Sequence, residues 1–260
     1  MIRIGILGEI GSGKSYVANN FGYPVFNADY EVSKIYKKDK KTFIKLKKKG
    51  DEKNSIPLFK KINEDGGDIF YQKVDITSES QVNKATDFII KKFKKIDILI
   101  NNAGVIRDRS FLKMSKDEWD TVININLRAL YLTTQSVLPY MKSAGYGRII
   151  SASSINGFKG AFGQTNYSAT KAAVSGFTRS LCKEVGKYGI TVNAVAPGFI
   201  KSKMSDSMPK EVIDSEIKMI PVGRIGTPED MGYTYLFLAS KKSGFISGIT
   251  LHANGGAMPN

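Results

Sequence analysis

"IDILINNAG", residues 96–104, decides how the rest of the chain is read. Ile96, Ile98, Leu99 and Ile100 form an apolar run that stops abruptly at Asn-Asn-Ala-Gly. A strand covered on both faces reads as such a run, whereas a half-exposed strand alternates with polar residues. The stretch therefore predicts a central parallel strand ending in a loop. Similar runs recur on either side: "IRIGIL" (2–7), "PVFN" (24–27), "IFYQKV" (69–74), "GRIISASS" (147–154), "GITVNAVAPG" (189–198) and "SGITLHANGG" (247–256). Helical spacing fills the gaps at 79–94, 115–143, 166–187 and 228–240, and a basic helix is expected from Tyr30 to Lys49. Strands alternating with helices along the whole chain predict an α/β fold. The expected form is a doubly wound, Rossmann-like parallel sheet of about seven strands in a single domain, residues 1–260.

The bulk numbers narrow the function classes. The net charge is +15, which raises nucleic acid as a partner. Nine lysines against one acid lie between Lys34 and Lys49, and no basic–aromatic interleaving suggests base stacking. A solvated lysine-rich face, or attraction to an acidic carrier, accounts for the charge without nucleic acid. The one cysteine, Cys182, cannot form an internal disulfide or a cysteine metal cluster, which favours a reducing, cytoplasmic setting and no metal site. The opening residues are too short an apolar run for a signal peptide, and no run reaches the roughly 20 apolar residues of a membrane helix. The one histidine, His252, reads as a packing or interface residue.

Chemistry concentrates in "SSINGFKGAFGQTNYSATK", residues 153–171. Tyr167 and Lys171 are spaced i,i+4 and so share one face of a helix. A nearby ammonium favours phenolate and lowers a phenol's pKa, which suits Tyr167 as a general acid toward a carbonyl oxygen. The spacing alone is weak, because Tyr30/Lys34 and Tyr36/Lys40 repeat it. Context separates the third pair: Ser154 stands thirteen residues before Tyr167, at the end of an expected strand. Ligand sites in such sheets lie outside the carboxyl ends of strands.

"NNAG" (101–104), "ININL" with Asn126, Ser154, "NYSATK", "APGFI" (196–200), "GRIGTPED" (223–230) and "LHANGG" (251–256) together resemble the short-chain dehydrogenase/reductase family. The resemblance covers roughly residues 51–260 and is greatest for reductases of 3-oxoacyl thioesters carried on acyl carrier protein or coenzyme A. It implies Tyr167 as proton donor, Lys171 on the nicotinamide ribose, Ser154 orienting the carbonyl and Asn126 anchoring a water beside Lys171. It further implies Asp75 at the adenine edge and Asn101, Ala103 and Gly104 along the cofactor. Pro197, Gly198, Ile200 and Ser202 would pass the nicotinamide. NADP(H) is the implied cofactor, with NAD(H) open, and a homotetramer the implied assembly.

One stretch departs from that family. Its cofactor turn is Thr-Gly-x-x-x-Gly-x-Gly, but "GEIGSGKS" (8–15) fits Gly-x-x-x-x-Gly-Lys-Ser instead. In such a phosphate loop, the backbone N–H groups of Gly8, Gly11 and Gly13 would cradle phosphate oxygens. Lys14 would reach the terminal phosphates and Ser15 would hold Mg²⁺. Residues 1–45 resemble the opening of dephospho-coenzyme A kinases, with Asn27-Ala28-Asp29 where that family typically has Asp-Ala-Asp. Residues 1–50 then read as an atypical strand–helix–strand opening in place of the dinucleotide turn. Three accounts stay open: a recombined reading frame without a working product, a reductase using the substitute loop, or an ATP-binding protein on a reductase scaffold.

Overall fold

The computed structural model describes residues 3–7, 42–47, 68–202 and 209–259. Seven parallel strands form one sheet in the order β3-β2-β1-β4-β5-β6-β7. They are β1 (Arg3–Leu7), β2 (Thr42–Lys47), β3 (Asp68–Lys73), β4 (Ile98–Asn101), β5 (Gly147–Ala152), β6 (Ile190–Pro197) and β7 (Thr250–Ala253). Described helices are α1 (Glu79–Phe93), α2 (Lys116–Ile123), α3 (Ala129–Ala144), α4 (Asn156–Lys159), α5 (Thr165–Val185), α6 (Lys210–Lys218) and α7 (Pro228–Ala239).

The expected doubly wound α/β sheet is what forms. β4, β5 and β6 are almost wholly buried, and their side chains alternate between two apolar layers. Ile98, Ile100, Ile150 and Val195 pack under Tyr235 and Leu238 of α7. Leu99, Ile149 and Val192 pack on the other face, against Ile89 of α1 and Met141 of α3. Both faces are covered, so each of these strands is predominantly apolar, with Arg148, Ser151, Thr191 and Asn193 as the buried polar exceptions in β5 and β6.

Helix boundaries follow local chemistry. Thr227 caps α7 and Asp230 answers it in a capping box, with Pro228 at the first helical position, where no N–H is required. Ser115 and Glu118 do the same for α2. Gly145, at φ 63, ends α3 in the left-handed conformation glycine adopts without penalty.

The structure departs from the sequence reading at three places. Residues 42–47 are strand β2 and not the end of a basic helix. Lysine is a good helix former, and its abundance hid the alternation Thr42-Phe43-Ile44-Lys45-Leu46-Lys47, which pairs on both sides with β1 and β3. The expected strand 24–27 and the rest of that expected helix lie outside the described residues. The helix expected over 115–143 is interrupted by a π turn at Asn124–Arg128. The short α4 and the amphipathic α6 were not expected.

Candidate active site

Between β1 and β4 the strand order reverses, the place where open α/β sheets leave a crevice for ligands. Leu7 at the end of β1 is level with Asn101 at the end of β4, and Asn101 with Ser151 near the end of β5. Asn101 is buried. It accepts from Thr133 Oγ1 at 2.7 Å and donates to Thr134 Oγ1 at 3.2 Å, so its amide ties the end of β4 to α3.

The structure brings Asn126, Ser154, Tyr167 and Lys171 together at this edge. Tyr167 and Lys171 stand one turn apart on α5, with the Lys171 Nζ 5.5 Å from the Tyr167 ring centroid. Ser154 lies just beyond β5, and its hydroxyl lowers the pKa of the Tyr167 phenol. Asn126 enters from the π turn, a feature that recurs at functional sites. A Cβ on Gly104 would fall 3.4 Å from both Asn126 Oδ1 and Lys171 Nζ, so the backbone there passes close beside both groups.

The partners of each group define what it can do. Asn126 accepts from the Val105 N–H at 2.8 Å and donates to the Val105 carbonyl at 2.9 Å and to Thr170 Oγ1 at 3.3 Å. Its side chain is thus taken up in holding the 104–106 loop against α5. Lys171 is 4% exposed, and its ammonium donates to the Ala152 carbonyl at 2.7 Å. Burial lowers its pKa to about 8. An ammonium has three donors, so a ligand rich in hydroxyls, such as a ribose, fits beside it.

The sequence reading had Lys171 lowering the Tyr167 phenol. In the structure burial pushes the phenol up, the Ser154 hydrogen bond pulls it partly back, and the Asp108 charge adds to the rise. The reason is geometric. The ammonium sits over the ring and bonds a carbonyl, so its charge is not delivered to the phenol oxygen. Tyr167 therefore holds its proton at neutral pH, as a proton donor must.

The remaining expected residues are placed as follows. Asp75 is exposed beyond β3, on the same edge of the sheet, and its Oδ1 accepts from Thr77 N–H and Oγ1 at 2.9 and 2.7 Å. Ala103 follows Asn101 out of β4 and is half-buried. Pro197 ends β6 and its carbonyl accepts from Ile155 N–H at 3.1 Å. Gly198 passes so close to Asn254 that a Cβ would lie 2.8 Å from its Cα, which gives that glycine a packing reason of its own. Ile200 bridges to Gly226 and packs on the core beneath α7, and Ser202 is half-buried. His252 packs edge-on against Phe158, with centroids 4.6 Å apart, and burial lowers its pKa. Gly8, Gly11, Gly13, Lys14 and Ser15 lie outside the described residues.

The sequence reading missed the polar frame around Tyr167. Asn166, fully buried, donates to the carbonyls of Arg107 (3.1 Å) and Glu118 (3.3 Å) and accepts from the Tyr167 N–H. Gln164 joins Asn156 to Asp108. The only available signal was a pair of uncharged amides beside the tyrosine at a helix start.

Residues 43–258 match the family described as enoyl-(acyl carrier protein) reductase. The chain belongs to the short-chain dehydrogenase/reductase family. Among its curated relatives, the 3-oxoacyl-[acyl-carrier-protein] reductase of Aquifex aeolicus is 44% identical over 184 residues, 71% of this chain and 74% of the relative. That of Thermotoga maritima is 40% identical over 183 residues, 70% and 74% respectively. The acetoacetyl-CoA reductase of Cupriavidus necator is 41% identical over 191 residues, 74% and 78%. As a member of this family the chain is matched from the second residue of β2 onward, within the lysine-rich run between Lys34 and Lys49. The match does not reach the phosphate-loop stretch, residues 8–15.

Proposed function

We propose that this chain reduces the 3-carbonyl of a 3-oxoacyl thioester, carried on acyl carrier protein or coenzyme A, to the 3-hydroxyacyl thioester. The observation that carries this reading is the convergence of Ser154, Tyr167 and Lys171 at the carboxyl edge of β4 and β5. The names of the relatives select the substrate class. Tyr167 donates the proton to the carbonyl oxygen, Ser154 hydrogen-bonds that oxygen, and Lys171 holds the ribose beside them. Asn126 and Val105 keep the 104–106 loop in place. When bound, a dihydronicotinamide supplies hydride to the carbonyl carbon. NADPH is the proposed form, held by Asn101, Ala103, Gly104, Pro197, Gly198, Ile200 and Ser202, with Asp75 at the adenine.

Residues 1–50 complete one domain in this reading, because β1 pairs between β2 and β4. The sequence there offers Ser12 and Lys14 where the family's turn has glycines, so NADPH affinity falls below that of relatives with the usual turn. A cytoplasmic homotetramer is the proposed state, and the single free cysteine supports the compartment. The test is NADPH oxidation on addition of acetoacetyl-CoA. Turnover abolished by Tyr167→Phe supports the reading; turnover unaffected by that change, or none with the unaltered chain, overturns it.

A further inference from the structure

Three successive residues of one loop hold the turn that carries Tyr167. The Arg107 carbonyl accepts from Asn166 Nδ2 at 3.1 Å, Asp108 Oδ2 accepts from Gln164 Nε2 at 2.9 Å, and the Arg109 N–H donates to the Gly163 carbonyl at 2.9 Å. The middle contact differs in kind, because an ionised carboxylate can only accept. It obliges Gln164 to present its amide nitrogen to Asp108 and its oxygen to the other side. There Asn156 Nδ2 donates to Gln164 Oε1 at 2.9 Å. The main-chain N–H of Asn156 in turn donates to Ser154 Oγ at 3.2 Å. A hydroxyl oxygen engaged as acceptor there keeps its own O–H to donate elsewhere, and the group whose pKa Ser154 lowers is the Tyr167 phenol. An amide flipped end for end fills the same space, so only its partners fix its direction.

We propose that Asp108, Gln164 and Asn156 form a positioning strap that holds the Ser154 hydroxyl as a donor toward Tyr167 and the substrate oxygen. The strap rests on the reductase reading of the site. None of its three members reacts; they act through Ser154. The charged and titratable groups around the phenol are Lys171 on its own helix, Asp108 on the facing loop and Tyr235 of α7. Arg109, next to Asp108, is tied to Glu118 of α2 at 3.0 Å.

The experiment has one arm that needs no turnover. The full chain is labelled with 3-fluorotyrosine, and the Tyr167 fluorine resonance is assigned by its loss in Tyr167→Phe. Ser154→Ala shows how far the titration midpoint of that resonance rises when the donor is removed. The strap predicts that Gln164→Met, similar in volume but unable to relay the bond, also raises the midpoint. It predicts a kcat lowered about tenfold with the KM for acetoacetyl-CoA within about twofold. Asp108→Asn keeps an acceptor oxygen and should retain most of the kcat that Asp108→Leu loses. The proposal is overturned by an unmoved midpoint in Gln164→Met, by a raised KM at unchanged kcat, or by equal loss in the two Asp108 variants. If no variant and not even the unaltered chain turns over, the reductase reading fails while the fluorine titration still decides the strap.

Discussion

Two cations are buried to the same depth at opposite edges of the sheet, Lys171 and Arg148, each 4% exposed. Arg148 lies at the amino end of β5. Its guanidinium donates to the carbonyls of Gly147 at 2.8 Å and Ser240 at 3.3 Å and stacks on the Tyr146 ring, 4.5 Å from the centroid. Asp97 belongs to the same cluster, since both its charge and that of Arg148 act on Tyr146. A delocalised, weakly hydrated guanidinium is well suited to such a place. Lys171 is a compact point charge with one carbonyl, and among the described residues no carboxylate pairs with it. Its ammonium is poorly accommodated, as its lowered pKa records. The difference separates a cation held by several groups of the fold from one left with a single carbonyl, the kind of buried, perturbed group that marks a candidate ligand site.

The sharpest way to break that contrast is to remove both charges in turn. Lys171→Met should lower NADPH-dependent reduction of acetoacetyl-CoA by about a thousandfold, within the range of general-acid sites, while leaving thermal stability equal or higher. Loss of stability with activity retained would place Lys171 in the structural class instead. Arg148→Met should do the reverse, with about 2 kcal/mol lost in urea denaturation and unchanged kcat per folded molecule.

The pH dependence sharpens the same point. Lys171 titrates near 8 when folded and near its ordinary 10.5 when unfolded. Between those values the unfolded chain binds more protons, so the stability contribution rises with pH there and is lowest below about 8. Denaturation of the unaltered chain and Lys171→Met should therefore converge as pH rises from 8 toward 10.5; parallel curves would contradict the assignment. The smallest effect is expected remote from both cations. Thr227→Ala removes the cap of α7 and should cost about 1 kcal/mol, read as a shifted urea midpoint with no change in turnover.

What the sequence made legible follows from spacing. Ser154, Tyr167 and Lys171 sit at fixed intervals in an otherwise ordinary strand–loop–helix, and apolar runs marked β4, β5 and β6. The π turn at Asn126 was hidden because its residues continue the helical period on both sides. β2 was hidden by lysines that favour a helix until two neighbouring strands pair with them. Asp108, Gln164 and Asn156 share no spacing pattern; only the folded chain brings residues 56 apart within 2.9 Å.

The most direct test of the central claim is binding of NADPH, followed by its fluorescence on titration with the purified chain and with Lys171→Met. Saturable binding by the unaltered chain, weakened at least about tenfold by the substitution, is the predicted result. No saturable binding, or equal binding by the two proteins, would contradict the claim that Lys171 awaits the hydroxyls of a nicotinamide ribose.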